Sequence, residues 1–410
     1  MTCLEITPTA KAWQLIKEEY RKMNIQKRIF SISNLFFYSI FFLSILLHLG
    51  AKAQTAPIKF GGIVFITGKF SSYGIDIEKG MRLAVKQIND GGGLMGSKLE
   101  LDLQDNASDS SQAVSLLRRF SGMSDVVGIV GPVGTPDFLA VLPLTAQLNT
   151  PVISLGSQKE MSSGEFSEWI VRVNLPVTPV LIKEVLVQAR KGGRKVDTIA
   201  LLRDRSNDSA QAEAKALRQA IESGGAGSKL VADEAYTVGD KDFSALIDKM
   251  LREKPDAVWL AGTTNEVALF LQQSRARGFK GIVLGGAGMN DPRIGQLAKE
   301  AAVGVVTFLP VNFESNLQHV KKFVAGYREL YGQGQIPTYA VYGYDGIMLL
   351  ANAVNSAKST DRKKVMQALG ATKNFIAVSG SYSYAGKGDN IAPVPFLVEM
   401  TATGNFKPLN

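Results

Sequence analysis

From Ile58 onward the chain alternates short β-branched runs with segments whose apolar residues recur at helical spacing. That alternation is the pattern of β-α units, in which strands pair in parallel and helices cover the sheet. Residues 58–64 read as a first strand, and 68–73 as a loop. Ile77, Met81, Ala84, Val85 and Ile88 then fall on one helical face, with Asp76 and Glu78 in a first turn whose dipole favours acids. Strands are predicted at 99–103, 126–130 and 152–154, and helices at 110–120 and 136–148, the latter kinked by Pro143. A second series follows, with strands at 198–202, 230–235, 256–261 and 282–284 and helices near 209–223, 243–252 and 265–277. Two such series predict two doubly wound parallel-sheet lobes, which bind ligands where helix N-termini meet the carboxyl ends of strands. No short-period repeat or low-complexity segment interrupts them.

The length of 410 residues suits two domains of ordinary size. Chemistry is narrowed by what the chain lacks. Its single cysteine, Cys3, leaves nothing for a disulfide framework, a thiolate zinc site or a Cys/His nucleophile, and its histidines are His48 and His319 alone. An enzyme is not expected, nor a metal or cofactor.

The N-terminus has the features of a secretory leader. Residues 22–28 are basic, 35–49 mostly apolar, and Ala51-Lys52-Ala53 supplies small residues at alternate positions, so cleavage is expected after Ala53. The 22 residues before Met23 make this leader long, and Met23 is an alternative start. The other reading is an uncleaved anchor over 29–49, diluted by Ser31, Ser33, Asn34, Ser39, Ser44 and His48. No cysteine follows to take a lipid. Setting aside residues 1–53, with seven basic and three acidic side chains, leaves 39 Lys+Arg against 34 Asp+Glu, so the formal charge falls from +9 to +5. Bases and acids are interspersed, so no nucleic-acid partner is expected.

Two glycine-rich stretches invite opposite readings. Gly91-Gly92-Gly93-Leu94-Met95-Gly96 matches the letters of a dinucleotide loop but follows a helix and precedes a strand, which is the wrong context; it reads as a helix stop and tight turn. Gly131-Pro132-Val133-Gly134-Thr135-Pro136 ends an apolar strand and opens a helix, with Thr135 as N-cap and Pro136 at the first helical position. Uncapped N–H groups and a hydroxyl there suit a carboxylate. Leu155-Gly156-Ser157-Gln158 offers a second small-residue loop at the same sheet edge. Asn106-Ala107-Ser108 and Asn207-Asp208-Ser209 match glycosylation sequons and carry little weight in a chain of bacterial appearance. His319 reads as solvated on a surface helix, and Tyr339, Tyr342 and Tyr344 as packing.

The ordered series of motifs resembles the leucine/isoleucine/valine-binding proteins, type I periplasmic receptors of branched-chain amino-acid ABC transporters. It runs through Phe70-Ser71-Ser72-Tyr73-Gly74, Glu78-Lys79-Gly80-Met81, Ile88 to Gly96, Asp105 to Asp109, and Thr150-Pro151-Val152-Ile153-Ser154. It continues through Lys241 to Leu246, Pro255-Asp256-Ala257-Val258, Arg275-Ala276-Arg277-Gly278, Tyr339 to Asp345 and Gly386-Lys387-Gly388-Asp389, covering essentially all of 58–405. The resemblance implies a clamp of two lobes joined by three crossovers near 175, 308 and 393. Lobe 1 would hold 58–175 plus 309–392, and lobe 2 would hold 176–308 plus 393–410. It also implies a carboxylate held by Thr135 and by backbone groups at Gly134, Gly156, Ser157 and Gln158, with Tyr73 from the first loop covering the ligand.

In the second lobe the chain departs from the family. The acid that pairs with a ligand ammonium follows the strand matching 282–284; here Gly285-Gly286-Ala287-Gly288 stands there, with Ala287 at the acid's position and Asp291 beyond. The family's aromatic positions appear as Asp208 and Thr263. Asp208 or Asp291 is a candidate replacement, since a buried ammonium without a partner is costly; the ligand is otherwise an amine-free aromatic or aliphatic acid. The leucine-type disulfide is missing, with Ser108 and Gly134 at its two positions.

The resemblance thus implies a periplasmic, monomeric, non-catalytic solute receptor that takes a small carboxylate-bearing molecule between closing lobes and presents it to an ABC permease and ATPase. The alternative is a ligand-binding sensor or regulator of the same fold without a transport role; the absence of a C-terminal membrane helix or signalling domain favours the free receptor.

Overall fold

The computed structural model describes residues 10, 11, 13–15, 17–23, 56–156, 169–174, 177–384, 388–390, 396–401 and 405–409. The chain divides into two units, 1–55 and 56–410. In the first, the described residues between 10 and 23 form a helix, α1, with Trp13, Leu15, Tyr20 and Met23 exposed. The apolar run of the expected leader and its cleavage site at Ala53 lie outside the described residues. Among the described residues no helix is long and apolar enough to cross a membrane.

The second unit is built on two sheets. Five parallel strands form the first in the order β2-β1-β3-β4-β5: β1 (Ile58–Val64), β2 (Leu99–Asp105), β3 (Val126–Val130), β4 (Val152–Ser154) and β5 (Ile170–Arg172). Both faces are covered, which is why β3 is apolar and both β3 and β4 are buried throughout. Ile63, Val126, Ile129 and Val152 pack under α3 (Ser110–Gly122) and α4 (Thr135–Leu148). On the opposite face Phe60, Val64, Val130 and Ile153 meet α2 (Ser71–Asp90), α10 (Gln318–Tyr331), α11 (Thr338–Ala357) and α12 (Arg362–Gly370).

The second sheet runs β14-β13-β10-β9-β8-β6-β7. Its parallel strands are β6 (Thr198–Asp204), β7 (Lys229–Tyr236), β8 (Ala257–Ala261), β9 (Ile282–Leu284) and β10 (Val306–Leu309). The antiparallel strands β13 (Phe396–Met400) and β14 (Phe406–Pro408) close one edge. Side-chain alternation sorts residues to the two faces. Ile199, Leu201, Ala257 and Trp259 pack against α5 (Pro179–Lys191) and α6 (Asp208–Glu222), whereas Ala200, Leu202, Val258 and Leu260 pack against α7 (Ser244–Arg252), α8 (Thr264–Ala276) and α9 (Arg293–Ala298). The strands β11 (Phe375–Ala377) and β12 (Gly380–Tyr382) form a separate hairpin. The chain is a mixed α/β fold with mainly parallel sheets.

Several expectations shift. α2 begins at Ser71, so Tyr73 stands in its first turn rather than in a loop, and Asp76 and Glu78 fall in the second turn. A turn closed by Ser71 N–H on the Gly68 carbonyl starts it, without a side-chain cap to signal the boundary. α4 begins one residue early, making Gly134 the N-cap and Thr135 the first helical residue, and it runs through Pro143. Phe308, near an expected crossover, lies within β10 opposite Leu397; positions 175 and 393 lie outside the described residues. The Gly91–Gly96 run does stop a helix: Gly92, Gly93 and Gly96 take φ of 99°, 82° and 81°, and a Cβ on Gly93 would lie 2.0 Å from the Ser97 carbonyl oxygen.

Candidate functional site

A cavity of about 150 Å³ lies between residues carried by the two sheets. A volume of this order takes a benzene-sized molecule. One wall comes from the first sheet and its helices: Phe65, Lys69, Phe70 and Tyr73, then Gly134 and Thr135, then Leu155 and Asn174, with Tyr339 from the first turn of α11. The other wall is the loop from Ser206 into α6, together with Glu213, Gly262, Thr263 and Gly288. Both walls are made where strands end and helices begin, as the sequence pattern predicts.

The helix starts differ in capping, although each carries an acid in its first turn, Asp208 in α6 and, in α4, Asp137, which is held by Asn106 and Ser110. α4 takes no side-chain cap among the described residues, so its first N–H groups stay available to an anion, beside the Thr135 hydroxyl. At α6, Asn207 already caps Ser209 N–H (2.9 Å) and Ala210 N–H (3.2 Å). That wall instead presents two acids, Asp208 and Glu213. The cavity is therefore polarised, with a donor-rich end at α4 and an acidic end at α6.

Four contacts join the two walls and their surroundings. Ser209 donates to Thr135 Oγ1 at 3.2 Å, and the Tyr73 hydroxyl lies 3.0 Å from Thr264 Oγ1. Thr338 donates to the Asn290 carbonyl at 3.1 Å. Arg293 reaches Asp76 at 3.2 Å while Asp291 grips it at 2.7–2.9 Å. Burial pushes the Asp76 carboxyl up to about 6, against the pull of Arg293.

Of the residues singled out from sequence, Tyr73, Gly134, Thr135, Asp208 and Thr263 line this cavity. Gly156 does not: its N–H donates to Ser154 Oγ, and a Cβ on it would meet Phe138. Ser157, Gln158 and the Ala287 side chain lie outside the described part; Ala287 opens a short 3-10 turn, Ala287–Met289. Asp291 is committed to Arg293 and Thr264.

The chain's relatives can now be set beside this geometry. A family profile described as "Periplasmic binding protein" matches residues 57–404. The chain belongs to that family. This binding protein is 28% identical over 381 residues to "Leu/Ile/Val-binding protein homolog 1" of Brucella suis biovar 1, covering 86% of this chain and 96% of the relative. It is 28% identical over 347 residues to the "Leucine-, isoleucine-, valine-, threonine-, and alanine-binding protein" of Pseudomonas aeruginosa, covering 82% and 87%. Among solved structures, the branched-chain amino acid transporter substrate-binding protein LivJ of Streptococcus pneumoniae, in complex with isoleucine, superposes with a TM-score of 0.76 at 26% identity, covering 86% and 98%. The leucine-binding protein LivK of Thermotoga maritima gives 0.76 at 25%, covering 86% and 97%. These relatives are substrate-binding proteins, a non-enzymatic family, and the fold is that of type I periplasmic binding proteins.

Sequence reasoning missed several cavity residues of this binding protein, Tyr339 and Glu213 among them. Tyr339 packs its ring 4.8 Å from that of Tyr73 and lines the cavity, whereas Tyr342 and Tyr344 are buried packing. Glu213 sits at an inward position of α6 among alanines and leucine, and only the arrival of β8 and the Gly286 turn shows what its carboxyl faces.

Proposed function

We propose that this protein is a periplasmic solute receptor of an ABC importer, binding a small carboxylate-bearing molecule between two lobes that close on it. The lobes would be 58–175 plus 309–392 and 176–308 plus 393–410, and the leader would be removed after Ala53. The observation that carries the reading is the cavity itself, walled on one side by the uncapped start of α4 with Thr135 and on the other by the start of α6. A desolvated carboxylate held by N–H and hydroxyl donors, with apolar burial against Phe65, Phe70 and Leu155, is adequate for micromolar affinity, about −8 kcal/mol. Contacts from both lobes favour the closed state, and that difference in affinity drives closure. The closed monomer would dock on a permease paired with an ATPase.

A thermal-shift screen against amino acids, aromatic acids and short aliphatic acids tests the reading. Ligand at about 100 times Kd adds roughly 2.7 kcal/mol of stability. Thr135→Ala should weaken binding of the best ligand, and unchanged calorimetric affinity would remove Thr135 from the site.

A further inference from the structure

We infer that a second cavity, lined by Glu314, Arg328 and Gln335, binds an uncharged sugar. The inference goes beyond the receptor reading and concerns a different site, so either can fail without the other.

This cavity has a volume of about 320 Å³, against about 150 Å³ for the one beside Thr135. It falls within the range of small-molecule sites, about 300–1,000 Å³, with room for roughly one or two sugar rings. One wall is the end of α10 and the segment leading to α11, with Arg328, Gln333, Gln335 and Ile336. The other is Pro292 with the edge strands β13 and β14, which supply Phe396, Val398 and Phe406. The stretch from β10 into α10 adds Leu309, Asn312, Phe313 and Glu314. Gln335 Nε2–H donates to Asn405 Oδ1 and ties the two walls together.

Several polar groups here have no partner among the described residues. The Arg328 guanidinium and the Glu314 carboxylate make no ion pair or hydrogen bond, with each other or with anything else. Only the Glu314 N–H is engaged, donating to Asn312 Oδ1 at 3.0 Å. The Asn312 amide nitrogen and the Gln333 amide are unclaimed, and Gln335 Oε1 is buried without a donor. The lining thus offers a guanidinium and amide N–H groups as donors, and a carboxylate and amide oxygens as acceptors.

Charge decides the class of ligand. One cation and one anion line the cavity, and the carboxyl end of α10 adds partial negative charge beside Arg328. A ligand of either sign is drawn to one group and repelled by the other, whereas an uncharged one escapes the conflict. To meet both groups and the amides it needs several hydroxyls, each donor and acceptor at once. It also needs apolar faces for Phe313, Phe396 and Phe406, all of them partly buried, with Phe313 held by stacking on Phe323. A sugar ring combines a rim of hydroxyls with faces of C–H groups.

The test is calorimetric titration of the whole protein at pH 7.5 with D-glucose, D-galactose, D-ribose and maltose, and with hexanoate and hexylammonium as charged probes. At least one sugar should bind with a millimolar or tighter Kd. Arg328→Ala and Glu314→Ala should each weaken it about tenfold, as loss of a hydrogen bond to a charged group predicts. Both side chains are exposed and unpaired, so the variants should fold. The inference is overturned by failure of every sugar to bind, or by sugar binding that neither substitution alters. It is overturned too if a charged probe binds more tightly than any sugar and loses that affinity in one of the variants. Should either variant not fold, the wild type decides: saturating sugar must slow phenylglyoxal modification of Arg328 at least twofold, as read by peptide mass analysis, and an unchanged rate refutes the site.

Discussion

The Tyr73 hydroxyl lies 3.0 Å from Thr264 Oγ1 and 3.4 Å from Thr264 N, joining the first turn of α2, on the five-stranded sheet, to the first turn of α8, on the seven-stranded one. The same ring packs at a tilt against Tyr339 and borders the cavity. A contact present only when the two walls meet contributes to the closed state and not to either lobe alone. Tyr73→Phe should therefore weaken ligand affinity by about 1 kcal/mol, the worth of one hydrogen bond. The ligand-free melting temperature should barely move. Calorimetry and thermal melts together check this, and a large drop in melting temperature with unchanged affinity would show that the hydroxyl serves folding instead.

Helices α2 and α11 pack closely, and their contact depends on two residues without side chains. A Cβ on Gly80 would lie 1.8 Å from the Ala340 carbonyl oxygen, and one on Gly343 would lie 2.2 Å from that of Ile77. Both clashes are with backbone, which cannot rotate away. Gly80→Ala should lower unfolding free energy by about 1–3 kcal/mol despite alanine's better helix propensity. Urea denaturation measures it, and a neutral or stabilising result would mean the helices can separate without loss.

Much of this architecture is legible in the sequence because buried strands write themselves as unbroken apolar runs. Val126–Val130 and Ala257–Ala261 are buried at every position, and their flanking glycines and polar residues mark the ends. Helix starts without caps are less legible. Phe70 precedes α2 with no capping side chain, which is why Tyr73 reads as loop; Thr135 reads as a cap although the backbone places Gly134 there. Glu213 is a different kind of miss. Along α6 it follows Ala210 and precedes Ala214 and Leu217 on the inward side, an ordinary amphipathic pattern. Its partners, Trp259 and Gly286, lie 46 and 73 residues away, so its role is created by tertiary structure.

Asp345 of α11 anchors the turn between β11 and β12 of the hairpin. Its carboxylate accepts from Val378 N–H and Ser379 N–H, each at 2.9 Å, and from Ser379 Oγ at 2.5 Å. Burial raises the carboxyl to about 6, while these donors pull the other way. Asp345→Ala strands the buried Val378 N–H and removes two further charge-assisted bonds, so about 3 kcal/mol should be lost. Differential scanning calorimetry reports the loss, and a change below about 0.5 kcal/mol would show that water replaces the carboxylate without cost.

Asp76 should make stability depend on pH through a shared arginine. Arg293 is gripped by both oxygens of Asp291, so Asp76, at 3.2 Å, receives only part of its charge while remaining 5% exposed. Burial is the larger effect and raises the carboxyl to about 6, with Asp291 adding repulsion and Lys79 a weak attraction. The folded value lies above the unfolded one near 3.8, so the folded state binds more protons between the two. The cost of ionising Asp76 is then fully present above about pH 6 and shrinks as pH falls towards 4. Asp76→Asn mimics the neutral form, so it should stabilise the protein by about 1–3 kcal/mol at pH 7.5 and by almost nothing at pH 4. Urea midpoints at the two pH values check the sign. A variant less stable than wild type at pH 7.5 would mean that the Arg293 ion pair outweighs desolvation, and that this contact holds the two walls together by charge.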